Sequence, residues 1–384
     1  MAGILRRVPE RLRPFVWPVT IAVLAVAVFT TRISDEMVDF GIYRTAAARA
    51  LHAEPLYQSG DGPGRFTSLP AFAIGMTPLA VLGEEAAKVI WFSLSVGLLV
   101  ALVRWSVSAL PARQLSPTPL TWLTVMFMGK FYAHELMLGQ ANILLGALLV
   151  GALLAAQIDK PVAAGVLIGL GAFVKPYAII LAPWLAVGSG VAGTLAAAAV
   201  LVAGLLLPAA FYGWTGNLEL LSAWYGAVSG PTAPNLLGAD NISFAAMWAK
   251  WLGPGQAASV LAATTGTAAI GLAIFVWMRR HTVEEPDYLE FALLMMLIPL
   301  LSPQGWDYLL LLATPAVVCL VDRWRLLTLS RRIFLGAALA LMGLTLFDVM
   351  GRELYARFMA MSIVTVAASA LLLMLARLRW RQLA

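Results

Sequence analysis

Long apolar runs separated by short polar segments dominate the chain. A membrane-spanning helix needs about 20 mostly apolar residues, within a range of about 17–25. Runs of this kind lie at 15–31, 66–83, 88–109, 119–133, 141–157, 162–187, 190–212, 256–278, 287–301, 305–321, 332–349 and 356–376. They predict an all-α polytopic membrane protein with about twelve transmembrane helices. The runs at 119–133, 287–301 and 305–321 are the shortest or most interrupted. The first run follows Arg6, Arg7, Arg11 and Arg13 with no small-x-small cleavage site after it. It reads as a retained anchor, not a signal peptide.

Two polar segments are longer than ordinary connections, 32–65 and 213–255. Long loops usually carry function. In the first, Asp39 to His52 is amphipathic. Phe40, Tyr43, Ala47, Ala50 and Leu51 share one side, and Arg44 and Arg49 lie on the other. In the second, Trp214, Leu218, Leu221, Trp224 and Tyr225 suit a membrane interface. Each predicts an interfacial helix in an extracytoplasmic loop. Neither segment has the composition of a soluble domain and no internal repeat is apparent. The whole of 1–384 reads as a single integral membrane domain.

Composition agrees. The 384 residues are 61% hydrophobic and 12% charged, about half the charge of a soluble domain. Mean hydropathy is +0.85. A soluble enzyme, a disordered chain and a nucleic-acid binder are excluded together. The net charge of +6 is explained by basic residues at cytoplasmic ends, clearest at 322–332 and in the tail with Arg377, Arg379 and Arg381. That bias predicts both termini in the cytoplasm, with the segment 129–140 its weakest link. A single cysteine, Cys319, leaves no disulfide and no Cys-based metal framework.

Few residues are left to carry chemistry. Asp35, Glu36 and Asp39 stand in the first loop. Asp39 opens the predicted surface helix, where it would be either an N-cap or a general base for an acceptor hydroxyl. Lys175 lies inside an apolar run, directly before Pro176. It would be either a phosphate ligand or a snorkelling cation. Between Lys130 and Asn142 four polar residues interrupt two apolar runs: His134, Glu135, Gln140 and Asn142. They would glue helices by hydrogen bonds or line a substrate pocket. The stretch Asn235–Ser243 contains Asn241, and Ser302–Tyr308 is expected to place Trp306, Asp307 and Tyr308 at the mouth of an outside turn. An indole beside a carboxylate and hydroxyl suits a sugar, and equally an aromatic belt. No Walker motif, His-Glu-x-x-His or nucleophile elbow occurs.

Several motifs come in a familiar order. They are Asp39-Phe40 with Tyr43, Glu54-Pro55-Leu56-Tyr57, Gly139-Gln140-Ala141-Asn142, Lys175-Pro176, and Ser302-Pro303 with Trp306. From about residue 30 to 315 the chain resembles glycosyltransferase family 87, polytopic enzymes of the C-type glycosyltransferase fold. The family includes polyprenyl-phosphate-mannose-dependent mannosyltransferases. The resemblance implies inverting transfer, outside the cytoplasm, from a polyprenyl-phosphate sugar to a lipid or glycan acceptor within the plasma or inner membrane. No nucleic-acid partner, cofactor or metal is expected.

Asp39 is the position matching the family's catalytic acid. Lys175 is the first candidate for the donor phosphate, with Arg44 and Arg65 as alternatives. Tyr43, Glu135, Gln140, Asn142, Asn241, Trp306, Asp307 and Tyr308 are candidate substrate contacts. Relatives often carry a histidine in the Ser-Pro-x-x-Trp turn. Here Asp307 and Tyr308 occupy that stretch, so Asp307 becomes a rival base. The competing class is a transporter or flippase of a lipid-linked sugar.

Overall fold

The computed structural model describes residues 26–61, 64–230 and 232–380, together with Thr20 and Val23. Most of the apolar run 15–31, Arg6, Arg7, Arg11, Arg13 and Arg381 lie outside the described residues. Among the described residues fourteen helices of nine residues or more organise the fold: α1 Val38–Leu51, α2 Glu84–Ala109, α3 Pro117–Leu138, α4 Asn142–Gln157, α5 Pro161–Val174, α6 Gly190–Leu206, α7 Ala209–Ser229, α8 Phe244–Leu252, α9 Gln256–Met278, α10 Asp287–Leu301, α11 Thr314–Asp322, α12 Leu329–Gly343, α13 Arg352–Ala360 and α14 Ile363–Trp380. Shorter helical turns join them. Among the described residues the sole β-bridge pairs Asn241 with Trp306.

The segment 287–322 is the axis of the molecule. In α10, in the 3₁₀ turn Asp307–Ala313 and in α11 nearly every side chain is buried. A helix that is apolar all round belongs in such a centre. Helices α3, α4 and α14 pack around the axis, and α5 joins α4 to α6. Gly165 of α5 lets α6 approach closely, since a Cβ there would clash with the Gly193 carbonyl oxygen.

Helices α2, α9 and α14 are long and apolar enough to cross a membrane. Only 11% of the most apolar window of α9 is buried, against 61% in α14. The first turns its apolar side chains outward, as a lipid-facing helix does, and the second belongs to the core. Helices α6 and α7 pass the same test as a pair but meet at an 87° bend. Beyond that bend Trp214, Leu218 and Tyr225 are exposed, in keeping with an interfacial helix.

Several expected continuous runs are broken. Residues 66–83 form two short helices, Pro70–Gly75 and Thr77–Ala80, because Pro70, Gly75, Pro78 and Gly83 interrupt the pattern. The run 162–187 breaks at Lys175, which takes an extended conformation before the 3₁₀ turn Pro176–Leu181. The backbone before a proline avoids the α region.

Helix α1 also departs from expectation. Phe40, Tyr43, Ala46, Ala47 and Ala50 enter the core, so α1 is docked on the bundle and does not simply float at its surface. Leu51, expected on the apolar side, is exposed. The cap position belongs to Met37, with no side-chain cap bond, so Asp39 is not an N-cap.

Candidate functional site

The start of α1 is held against the junction of α3 and α4. Helix α3 ends on Gly139 at φ +67°, a left-handed cap that glycine adopts without steric cost. A Cβ at Gly139 would lie 2.8 Å from the Phe40 Cβ and 3.0 Å from the Met37 Cε. Met37 N–H donates to the Met137 carbonyl at 3.0 Å. Trp91 Nε1–H donates to the Gly139 carbonyl at 2.8 Å. Helix α1 therefore begins where the next residue, Gln140, can reach it.

Gln140 is the hub of the polar cluster. Tyr43 donates its hydroxyl hydrogen to Gln140 Oε1 at 2.6 Å, and Gln140 Nε2 donates to the Tyr308 hydroxyl at 3.3 Å. The amide also lies within hydrogen-bonding reach of the Asp39 carboxylate. Gln140 is buried, while Asp39 is half-buried. Burial pushes the Asp39 carboxyl above the ordinary aspartate range, opposed by Gln140 and by the charges of Lys175 and His134. An aspartate so placed is a stronger base than one in water. Lys175 acts electrostatically on both Asp39 and Glu135. Ser68 Oγ, just after the first long loop, donates to the Val174 carbonyl at 3.1 Å, tying that segment to the end of α5 just before Lys175.

Glu135 has a different place. Its Oε1 accepts from the backbone N–H of Asn142 at 2.5 Å and of Ile143 at 3.1 Å, and its Oε2 accepts from Asn142 Nδ2 at 3.0 Å. These N–H groups are the orphan donors of the α4 N-terminus. The carboxylate caps that helix and also complements its dipole. It holds Gln140 and Asn142 in position from beneath.

Within the turn 302–308, Asp307 and Tyr308 are buried, contrary to the open mouth expected for them, while Pro303 is exposed. Asp307 is 1% exposed and Tyr308 8%. The reason is a clamp from the second long loop. Ile242 N–H donates to the Gly305 carbonyl at 2.7 Å, and Asp307 N–H donates to the Asp240 carbonyl at 2.8 Å. Asn241 completes it: Nδ2 donates to the Asn235 and Pro303 carbonyls, and Oδ1 accepts from Ser243 N–H. All three interactions of the amide are spent on the protein, so Asn241 is a staple between loops. Trp306 is half-buried and flanks Gly238.

Two candidate arginines lie away from this cluster. Arg44 Nη2 donates to the Leu82 carbonyl at 3.0 Å. Arg65 is half-buried with its guanidinium against Gly230. Asp35 and Glu36 are exposed in a turn.

Sequence reasoning gave His134 no role beyond helix glue or pocket lining and assigned none to Lys130 or Asp240. Asp307 Oδ1 lies 2.9 Å from His134 Nδ1, and Asp307 Oδ2 lies 4.0 Å from Lys130 Nζ. The signal was present: Lys130 and His134 are four apart on one helix and so share a face. Burial, reinforced by repulsion from Asp307, pushes the Asp240 carboxyl up. Burial pulls the Lys250 ammonium down to about 8. Its Nζ donates to the Ala239 and Asn241 carbonyls, both at 2.8 Å.

Thus one network runs from Asp39 through Gln140 and Tyr308. It continues to His134, whose ring meets that of Tyr308 edge-on at 5.2 Å between centroids. The carboxylate of Asp39, the ammonium of Lys175 and the imidazole of His134, from three different segments, act on one another electrostatically, an arrangement suited to moving protons and holding an anion. Among curated proteins none matches the chain. Residues 66–303, more than half of its length, match the family model described as glycosyltransferase family 87. The match includes Glu135, Gln140, Asn142, Lys175 and Asn241, to which the structure joins Tyr43 and Tyr308 from outside the matched range. On that match the chain belongs to glycosyltransferase family 87.

Proposed function

We propose that this glycosyltransferase moves a sugar, with mannose favoured, from a polyprenyl-phosphate donor to a hydroxyl of a lipid or glycan acceptor. The transfer inverts the anomeric centre and takes place on the extracytoplasmic side of the plasma or inner membrane, with both termini in the cytoplasm. The chain is one domain of the C-type glycosyltransferase fold with about twelve spans. The long loops 32–65 and 213–255 lie over the site, and the polyprenyl tail runs between spans.

The observation that carries this reading is the state of Asp39. Its carboxylate is half-exposed, is not used as a helix cap and sits beside the Gln140 amide. It takes the proton of the acceptor hydroxyl as that oxygen attacks the anomeric carbon. Asp307, by contrast, is buried and already shared between His134 and Lys130, which favours Asp39 as the base. Lys175 neutralises the departing phosphate as a point charge. Tyr43, Gln140, Tyr308 and Trp306 face the sugar.

The test is turnover. Purified protein is offered polyprenyl-phosphate sugars with membrane lipid extracts, and new glycolipid is followed by mass spectrometry. Wild type is expected to form product, and Asp39→Asn to lose about 10²–10⁴-fold in kcat while still binding donor. Equal product from Asp39→Asn rules out the assigned base.

A further inference from the structure

The network that begins at Asp39 ends at a second proton-carrying group. His134 comes from α3 and Asp307 from the 3₁₀ turn that follows α10. The Asp307 carboxylate is 1% exposed. Its Oδ1 meets His134 Nδ1 at 2.9 Å. A buried carboxylate at that distance fixes the ring, because Nδ1 then carries the hydrogen and donates it. The other oxygen faces Lys130 Nζ at 4.0 Å. This ammonium is 8% exposed, lies 5.0 Å from the centre of the Tyr355 ring, and has no hydrogen-bond partner among the described residues. One turn from His134 on the same helix, it places a positive charge behind the carboxylate. The backbone bond from Asp307 N–H to the Asp240 carbonyl fixes the pair from the other side.

What is left free is the opposite edge of the imidazole. The His134 side chain is 31% exposed, and among the described residues its Nε2 makes no hydrogen bond to the protein. The charges that bear on the ring are those of Asp307 and Asp240 from the turn and the second loop, and Glu135 beside it on α3. Lys130 stands behind Asp307, and Asp39 is near enough for its own carboxylate to feel the ring's charge. Acids outnumber bases around the ring, and its one hydrogen-bond partner is a carboxylate. Burial disfavours the imidazolium, but the hydrogen bond and charge of Asp307, with Asp240 and Glu135, outweigh it and raise the ring above the ordinary histidine value.

We propose that His134 is the proton donor to the departing phosphate, with Asp307 and Lys130 as its positioning residues. This rests on the polyprenyl-phosphate reading above. The acceptor O–H bond breaks and its proton goes to Asp39, while the oxygen forms a bond to the anomeric carbon. The bond between that carbon and the phosphate oxygen breaks, and its electron pair stays on the oxygen. That oxygen takes the Nε2 proton. His134 is left neutral and Asp39 protonated, and exchange with solvent resets both groups. Lys175 balances the phosphate's charge, and His134 balances the pair of electrons that arrives on one oxygen.

The test uses the full chain in detergent or nanodiscs, with a polyprenyl-phosphate sugar and the acceptor extract. The kcat and KM of wild type, His134→Gln and Asp307→Asn are measured across pH. The expected wild-type kcat falls on the basic side as His134 loses its proton. His134→Gln is expected to lose about 10²–10⁴-fold in kcat, with donor KM within about threefold, and to lose that basic limb. Asp307→Asn is expected to move the limb to lower pH, because the carboxylate that holds the ring's proton is gone. A merely structural pair would not move it.

A His134→Gln enzyme with wild-type kcat overturns the proposal. So does one whose KM rises at unchanged kcat, which would make the ring a contact for a sugar hydroxyl. Should His134→Gln not fold, the wild-type profile decides alone, and a kcat without a basic limb overturns the proposal. Wild type that consumes no polyprenyl-phosphate sugar refutes the donor assignment instead, and the leaving-group role falls with it.

Discussion

Replacing Glu135 separates two roles that sequence alone leaves equal. As a substrate contact, Glu135 would govern KM and leave folding alone. As the cap of α4, it would govern stability first. The structure gives the carboxylate three donors, the N–H groups of Asn142 and Ile143 and the Asn142 side-chain amide. The side chain is fully buried, so water does not replace it in the native packing. Glu135→Ala strands two backbone donors, each costing about 1–3 kcal/mol when buried and unpaired. The sum is about 2–6 kcal/mol. Glu135→Gln keeps one acceptor oxygen but turns an NH₂ toward donors, so it recovers only part of this. The unfolding temperature in detergent is expected to fall in the order wild type, Gln, Ala. Activity should fall with it, since Gln140 and Asn142 lose their support, but the donor KM of whatever folded enzyme remains should change little. An Ala variant that unfolds at the wild-type temperature and shows a raised KM would refute the capping argument.

Other consequences are as direct. Gln140 lowers the Asp39 carboxyl against the pull of burial, so Gln140→Leu should move the acid limb of kcat/KM to higher pH. In wild type that limb already lies above the ordinary aspartate range, and an unmoved limb would detach Gln140 from Asp39. Asp61 takes two bonds from Arg49, at 2.6 and 2.7 Å, and Arg49 holds its carboxyl below the usual value. Its contribution is complete above the unfolded aspartate pKa of about 3.9 and is lost as pH falls through the lower folded value. Thermal unfolding of Asp61→Asn should show about 1 kcal/mol less stability at neutral pH and little difference near pH 2. Asp322, buried between α11 and the 110–116 turn, accepts from Gln114 N–H, Leu115 N–H and Arg323 Nη1. Asp322→Ala leaves the buried Arg323 guanidinium bonded only to the Ala112 and Pro111 carbonyls, without its counter-ion, a loss of about 3–5 kcal/mol that denaturant or heat should reveal.

What the sequence makes legible here follows from what is local. Apolar runs of spanning length, a charge content of 12% and the amphipathic 39–52 stretch are properties of neighbouring residues, and they survive in α2, α9, α14 and α1. The breaks at Pro70, Pro78 and Lys175-Pro176 are local too, yet the apolar runs read longer than the helices, because hydropathy does not register a missing N–H. The pairings that make the site are of another kind. Tyr43 meets Gln140 across 97 positions and His134 meets Asp307 across 173, and no periodicity in one dimension encodes either. The same holds for Asp307 itself. Next to Trp306 and Tyr308 in the chain it reads as part of an open, sugar-facing mouth. In space the 235–243 loop covers it, and Lys130 and His134 take its two oxygens. In a chain this poor in charge, a buried carboxylate persists where a helix N-terminus caps it, as at Glu135, or where cations meet it, as at Asp307. Knowing that much, the search for partners of Asp307 narrows to the few intramembrane bases, and Lys130 with His134 four residues on is the one pair that shares a helix face. The pair was therefore recoverable from charge scarcity and the 3.6-residue period together, although neither signal alone separates it from ordinary helix glue.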